Sequence, residues 1–351
     1  ISRGKTVTAL RGQTLRIPNL YSLFGSWPKT KPHLNGLYKR LQPTVNGCIK
    51  HLAEGHPPAA NLKTEDLGRL VCLWYPKALL QQLKNLVIYT TWHVTWSDAV
   101  DSNAGHLSGD SEQARQLRRQ TLRMTKDALA LAETRAGDKD SVSGVFRYLG
   151  KRLLKATVKD QRRRLYSEIQ LFINSCEAEQ TYRSAGRFPD FESYMKMRIG
   201  TSGGRILCCF LPYVMRESFP ALVSSAPEIE QMSTQVSILM GIMNDVLSLK
   251  KELLVECPIN AITVAMEHGL TLDAAVDDLE ERMQQAVKEF DEAGNRLSER
   301  TRFDRETQSF VFRYIQGCRS IVTGTLDFTL SSPRYGISEL IQEDGSLRIP
   351  L

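Results

Sequence analysis

Gln235–Leu254 reads "QVSILMGIMNDVLSLKKELL". Its apolar residues recur at three- and four-residue intervals, the period of an α-helix, with no period-two alternation. On such a helix Asn244, Ser248 and Glu252 are four apart and form one stripe, and their side chains lean toward the N-terminus. An amide, a hydroxyl and a carboxylate could then converge on one cation. An all-oxygen set with a single charge suits Mg²⁺ that keeps waters and also binds phosphate, and is poor for zinc. The bland alternative is a polar stripe facing water. The strongly apolar "VSILMGIM" just before it weakens that alternative, but the triad alone leaves both open.

Outward from this segment the same period recurs. "ALLQQLKNLVIYTTWHVTWSDAV" and "LTLDAAVDDLEERMQQAVKEFDEAGNRL" are helical in pattern, the second with a Thr271 cap and an end expected near Gly294 and Asn295. Pro- and Gly-containing clusters, "EGHPPAAN", "ETRAGDKDSVSG", "SAGRFPD" and "SSPRYG", fall between such segments. No fixed-period repeat and no run of alternating strands is present, so the expected class is all-α. Residues 1–35 are expected to be an arm packing over the body, and residues 36–351 one large helical domain.

The 351 residues, 42% of them hydrophobic, are enough to bury a large core. No apolar run approaches the ~18 to 20 residues of a membrane span. The first residues lack a signal-peptide h-region. Seven cysteines without a CxxC pair, and Cys208-Cys209 inside an apolar stretch, fit a reducing, cytoplasmic setting. The net charge of +7 includes "RQLRRQTLR" (Arg115–Arg123) and "KDQRRR" (Lys159–Arg164). No aromatics alternate with these charges, so they read as solvated helix faces and argue against a nucleic-acid partner. An excess of positive charge suits an enzyme that holds a polyanionic small molecule.

Asn, Ser or Thr, and Glu at this spacing resemble the second metal motif of the class I terpene synthases. Other features of that family stand in order. Arg198, 46 residues before Asn244 in "YMKMRIGTSGG", matches its diphosphate-sensing arginine, and a helix break is expected in "IGTSGG". By position Thr201 would be the linker residue and Ser202 the effector whose carbonyl points into the pocket. Arg334 and Tyr335 in "LDFTLSSPRY" match the Arg-Tyr pair, and Lys251 the family's diphosphate-binding lysine. "WHVTWSDAVD" holds the place of the aspartate-rich motif. The likeness covers most of the chain and is greatest to the sesquiterpene cyclases of fungi and bacteria.

The resemblance implies a helical bundle around a central cavity. It also implies three Mg²⁺ ions, with Mn²⁺ as an alternative, and an isoprenoid diphosphate as substrate, farnesyl diphosphate first. Asp98, Asp101, Asn244, Ser248 and Glu252 would hold metal, while Arg198, Lys251, Arg334 and Tyr335 would hold diphosphate. Tyr89, Trp92 and Trp96 precede the motif at helical spacing, and with Phe328 their π faces could stabilise cations; core packing is the alternative for each. His93 reads as packing. The family's first aspartate is Ser97 here, which removes a charge and a bridging donor. "DDLEE" (Asp277–Glu281) matches the motif's letters but follows the triad in a charged amphipathic segment, and reads as a solvated face. Ser97 keeps two other readings open: an enzyme of this fold with different chemistry or substrate, and a non-catalytic isoprenoid-binding protein. Monomer and homodimer are equally compatible with the sequence.

Overall fold

The computed structural model describes residues 2–28, 36–55, 57–101, 111–132, 141–254 and 259–351. Along the chain run α1 (Ser2–Leu10), β1 (Thr14–Ile17), α2 (Gln42–Gly55), α3 (Leu67–Trp74), α4 (Leu80–Asp101), α5 (Ser111–Ala128), α6 (Ser141–Leu154), α7 (Lys159–Ala185), α8 (Phe191–Thr201), α9 (Gly204–Cys209), α10 (Leu211–Met215), α11 (Pro227–Leu254), α12 (Ala261–Glu267), α13 (Leu272–Arg300), α14 (Arg305–Ser331) and β2 (Leu347–Pro350). The class is all-α.

The segment Gln235–Leu254 lies in α11, which packs along α13 and also meets α14, α8 and α9. Pro227 opens α11 where a missing N–H costs nothing, and Glu228 and Glu230 in the first turn complement the helix dipole. From Val236 to Leu249 α11 is buried on almost every side, as a helix apolar nearly all round must be. Truncating Leu239, which is fully buried, to Ala would cost about 2–5 kcal/mol.

α13 begins as its sequence implies: the Thr271 side chain caps it by accepting from the Ala274 N–H. It does not end at Gly294 and Asn295 but runs on to Arg300. Gly294 serves packing instead, since a Cβ there would sit 3.3 Å from Ile315. "DDLEE" lies on the outer part of this helix, with Asp278 paired to Arg282 at 2.8 Å. Of the basic clusters, Arg163 is exposed and pairs with Asp160 at 2.9 Å, whereas Arg118 departs from the expected solvated face and is buried against Gln180 of α7 at 2.8 Å.

Residues 2–28 contact α13, α14 and the C-terminal strand. β1 pairs antiparallel with β2, Thr14 opposite Pro350 and Ile17 opposite Leu347. Trp27 lies on Phe290 with ring centres 4.9 Å apart and points its indole N–H at Asp291, while the Tyr21 hydroxyl bonds Asp327. The two-stranded sheet escaped the sequence reading because its partners lie at opposite ends of the chain. Among the described residues no helix is long and apolar enough to cross a membrane, and the described cysteines are free thiols.

Candidate active site

Two glycines set α8 in place, Gly200 against α7 and Gly241 where α11 meets α8. A Cβ at Gly200 would collide with Ser175 of α7, and one at Gly241 would lie 2.9 Å from Cγ of Arg198. The Arg198 side chain therefore crosses α11 over Gly241. Its Nη2 donates to Asn244 Oδ1 at 2.7 Å and lies 2.9 Å from Asp245 Oδ1, while Nη1 donates to the Thr201 hydroxyl at 3.2 Å. Burial opposes the guanidinium charge, but Asp245, Tyr194, Glu179 and Glu252 around it more than offset that and hold it charged. α8 ends at Thr201 with Ser202 as its cap, and Gly203 at φ +72° turns the chain into α9. Only glycine takes that left-handed turn without strain.

Asn244, Ser248 and Glu252 share one face of α11, as their spacing requires. The Ser248 hydroxyl donates to Glu252 Oε1, and Glu252 Oε2 accepts from Asn260 Nδ2 at 2.9 Å. Burial, aggravated by nearby Asp245, pushes the Glu252 carboxyl up to about 7 against the pull of those hydrogen bonds. A half-buried carboxylate so disfavoured gains from a cation, and the donors around it are all hard oxygens. The residues present fit Mg²⁺. No group of three His, Cys, Asp or Glu side chains converges among the described residues, because this stripe offers only one of those types.

The C-terminal segment reaches the same place. Asn244 Nδ2 donates to the Tyr335 hydroxyl at 3.3 Å, and Lys251 Nζ stands 5.7 Å from the centre of the Tyr335 ring. Burial and the neighbouring Arg334 lower the pKa of Lys251. Arg334 bonds Glu65 through Nη1 and reaches Asp98 Oδ1 at 3.6 Å through Nη2. The structure thus links Asn244, Tyr335, Lys251, Arg334 and Asp98 across one mouth. Asp101 is the last residue of α4, and its side chain lies outside the described part.

Below that mouth is a cavity of about 240 Å³, with Arg198, Thr201, Ser202 and Asn244 on one side and Phe328 and Tyr335 on another. The α4 wall presents Tyr89, Thr90, His93, Val94 and Ser97. Trp92 and Trp96 are not brought to the cavity. At 100° per residue they fall on the flank of α4 turned toward α5, α6 and α7. Trp92 meets Phe146 edge-on at 4.9 Å, and Trp96 lies on Phe172 and bonds Thr121. Of the three aromatic residues on α4, Tyr89 alone reaches the wall.

Sequence reasoning missed three residues. Asp245 is buried and holds Arg198, the Tyr194 hydroxyl at 2.6 Å and the Ala261 N–H. Its adjacency to Asn244 was the available signal: one residue round the helix, it faces α8 rather than the mouth. Asn260 caps α12 and ties Glu252 to the Asp245 carbonyl. Glu65, just before α3, carries no local signal.

Residues 89–289, more than half of the chain, match the model of the terpene synthase family 2 C-terminal metal-binding domain. The chain belongs to this terpene synthase family and is a terpene synthase enzyme. Over 356 aligned residues it is 26% identical to the sesquiterpene cyclase hepA of Aspergillus oryzae, covering 97% of this chain and 94% of that protein. It is also 26% identical to the terpene cyclase braA of Annulohypoxylon truncatum, covering 92% of this chain and 86% of that one. Among solved structures, the T181N variant of cucumene synthase superposes with a TM-score of 0.73 at 18% identity, over 88% of this chain and 99% of that one. Germacradien-4-ol synthase from Streptomyces citricolor gives 0.69 at 18% identity, over 92% and 98%. At such identities the structural likeness speaks for the fold alone.

Proposed function

We propose that this terpene synthase is a Mg²⁺-dependent sesquiterpene cyclase that ionises farnesyl diphosphate, closes the cation into a ring and releases diphosphate. The observation that carries the reading is the contact of Arg198, Asn244 and Tyr335 at the mouth of the cavity. Asn244, Ser248 and Glu252, with Asp98 and Asp101 opposite, would hold the metal, which when bound supplies Lewis-acid polarisation of the phosphate oxygens. Arg198, Lys251, Arg334 and Tyr335 donate to the diphosphate as its charge grows, so their attraction is largest at the transition state. Thr201 steadies Arg198, and the Ser202 turn shapes the floor. Tyr89 and Phe328 present aromatic faces to the cation that remains, and the cavity excludes water from it. Curated relatives named as sesquiterpene cyclases support the fifteen-carbon choice.

Ser97 motivates a second reading, the same fold acting on another prenyl diphosphate or with fewer metals, since the hydroxyl itself lines the cavity. Incubation with geranyl, farnesyl and geranylgeranyl diphosphates, with Mg²⁺ or with chelator, separates the two. Cyclic C15 product that disappears in chelator supports the first. Product that persists in chelator, or that forms only from another chain length, supports the second. Saturable binding without turnover defeats both.

A further inference from the structure

The α4 wall carries a polar group that the reading above leaves unused. Tyr89, His93 and Ser97 are four apart and all line the cavity. His93 Nδ1 lies 3.1 Å from the Tyr89 hydroxyl, and its ring rests on Phe172 with centres 4.3 Å apart. Nε2 has no hydrogen-bond partner among the described residues. It borders the break between α8 and α9 beside Gly203, where a Cβ would stand only 3.2 Å from it. Any side chain at 203 would therefore crowd this nitrogen. A Phe or Leu at 93 could make the packing contact with Phe172 but would bring no nitrogen to this wall.

We propose that His93, oriented by Tyr89, is the proton acceptor that ends the cation cascade in this cavity. It rests on the cyclase reading. The acting tautomer carries hydrogen on Nδ1 and donates it to the Tyr89 oxygen, which leaves the Nε2 lone pair facing the cavity. A C–H bond beside the cationic carbon breaks, its electron pair becomes the second bond of an alkene, and the proton moves to Nε2. The imidazolium keeps its Nδ1–H bond to Tyr89 and returns the proton to water when product leaves. Burial lowers the His93 pKa to about 4, so the ring is neutral before ionisation. A carbocation is acid enough to protonate even so weakened an imidazole.

The test runs wild type, Tyr89→Phe and His93→Phe on farnesyl diphosphate with Mg²⁺, reading diphosphate release and the ratio of terpene products. Tyr89→Phe keeps the ring and removes only its oxygen, so a changed ratio there reports orientation of the base and not volume. In both variants the wild-type product should fall by about tenfold relative to alkenes deprotonated elsewhere and to alcohols. Should a thermal melt show that His93→Phe does not fold, His93→Gln takes its place. A wild-type ratio in Tyr89→Phe overturns the proposal whatever the His93 variant does. So does loss of diphosphate release in a folded Tyr89→Phe, because a base acts only after ionisation. No diphosphate release from the wild-type chain overturns the cyclase reading and this step with it; normal turnover with unchanged ratios overturns this step alone.

Discussion

The two walls that face each other across the cavity mouth are built differently. On the α11 side each polar group is held by another: Asp245 holds Arg198, Arg198 holds Asn244, and Asn260 holds Glu252. On the α4 side Ser97 offers a hydroxyl where the resemblance implies an aspartate, and Arg334, which is also bonded to Glu65, reaches Asp98 only at 3.6 Å. The first wall is preorganised, and the second has a hydroxyl in place of a carboxylate at 97 and meets an arginine that Glu65 also binds. If catalysis resides in the preorganised wall, substitutions there should cost far more than substitutions opposite.

The largest effect is expected from Glu252→Gln. Turnover should fall about 10³-fold or more, as when a group that acts on the developing charge is lost, with the far-ultraviolet spectrum retained. Stability should move the other way. In the folded wild type burial pushes the Glu252 carboxyl up to about 7, against an ordinary value of 4.5. As pH rises between those values the unfolded chain sheds its proton first, so stability falls over that window and stays lower above it. The full difference would be at most about 3 kcal/mol, and because the side chain is only half-buried we expect on the order of 1–2. In chelator, Glu252→Gln should therefore unfold later than wild type at pH 8 and together with it at pH 4. Urea melts at the two pH values check this; equal midpoints at pH 8 would remove the argument that Glu252 awaits a cation.

Asp245→Asn comes next. It leaves Arg198 without its nearest counter-charge, and breaking a buried pair from one side costs about 3–5 kcal/mol. Asn can still accept from Tyr194, so we expect about 2–3 kcal/mol in denaturant unfolding, with turnover lowered about 10- to 100-fold through a misplaced Arg198. A variant as active as wild type would show that the α11 wall does not depend on this support.

How far the sequence reached differs between the walls for a physical reason. Positions 244, 248 and 252 lie on one helix, and helical spacing alone puts them on one face. Arg198, Arg334 and Tyr335 were found through resemblance, since nothing local shows that three remote segments meet. Glu65 lay beyond either route: it acts through a tertiary contact 269 residues away in sequence. Spacing also could not separate Tyr89 from Trp92 and Trp96, because these rings span less than a third of a helical turn and only the placement of α5, α6 and α7 decides which side is core. The all-α class was legible from periodicity. The β1–β2 pair was not, because four-residue strands carry too little pattern.

Ser97→Asp asks whether the α4 wall can be brought level with the other. An aspartate there restores a carboxylate to the cavity edge beside Asp98. The Mg²⁺ concentration for half-maximal turnover should fall by about threefold to tenfold, which corresponds to about 0.7–1.4 kcal/mol of added attraction at a half-exposed position. A metal titration at fixed substrate measures it. If the requirement stays where it was, the α11 stripe governs metal affinity unaided. If the product changes while the requirement does not, Ser97 belongs to the shape of the cavity.

Glu65→Gln should have the smallest effect and isolates what the shared arginine does. If Arg334 meets the diphosphate as proposed, it must leave or stretch its Glu65 bond, and the carboxylate and the substrate then compete for one guanidinium. Gln keeps a hydrogen-bond acceptor of similar length but removes the charge, which weakens the competitor without emptying its place. KM for the diphosphate should therefore fall by about twofold to threefold, less than 1 kcal/mol, since Arg334 is partly solvated and its pair correspondingly weak. Inorganic diphosphate inhibition should tighten by the same factor. A rise in KM would mean the reverse, that Glu65 aims Arg334 at the mouth, and the α4 wall would then be as deliberately supported as the one it faces.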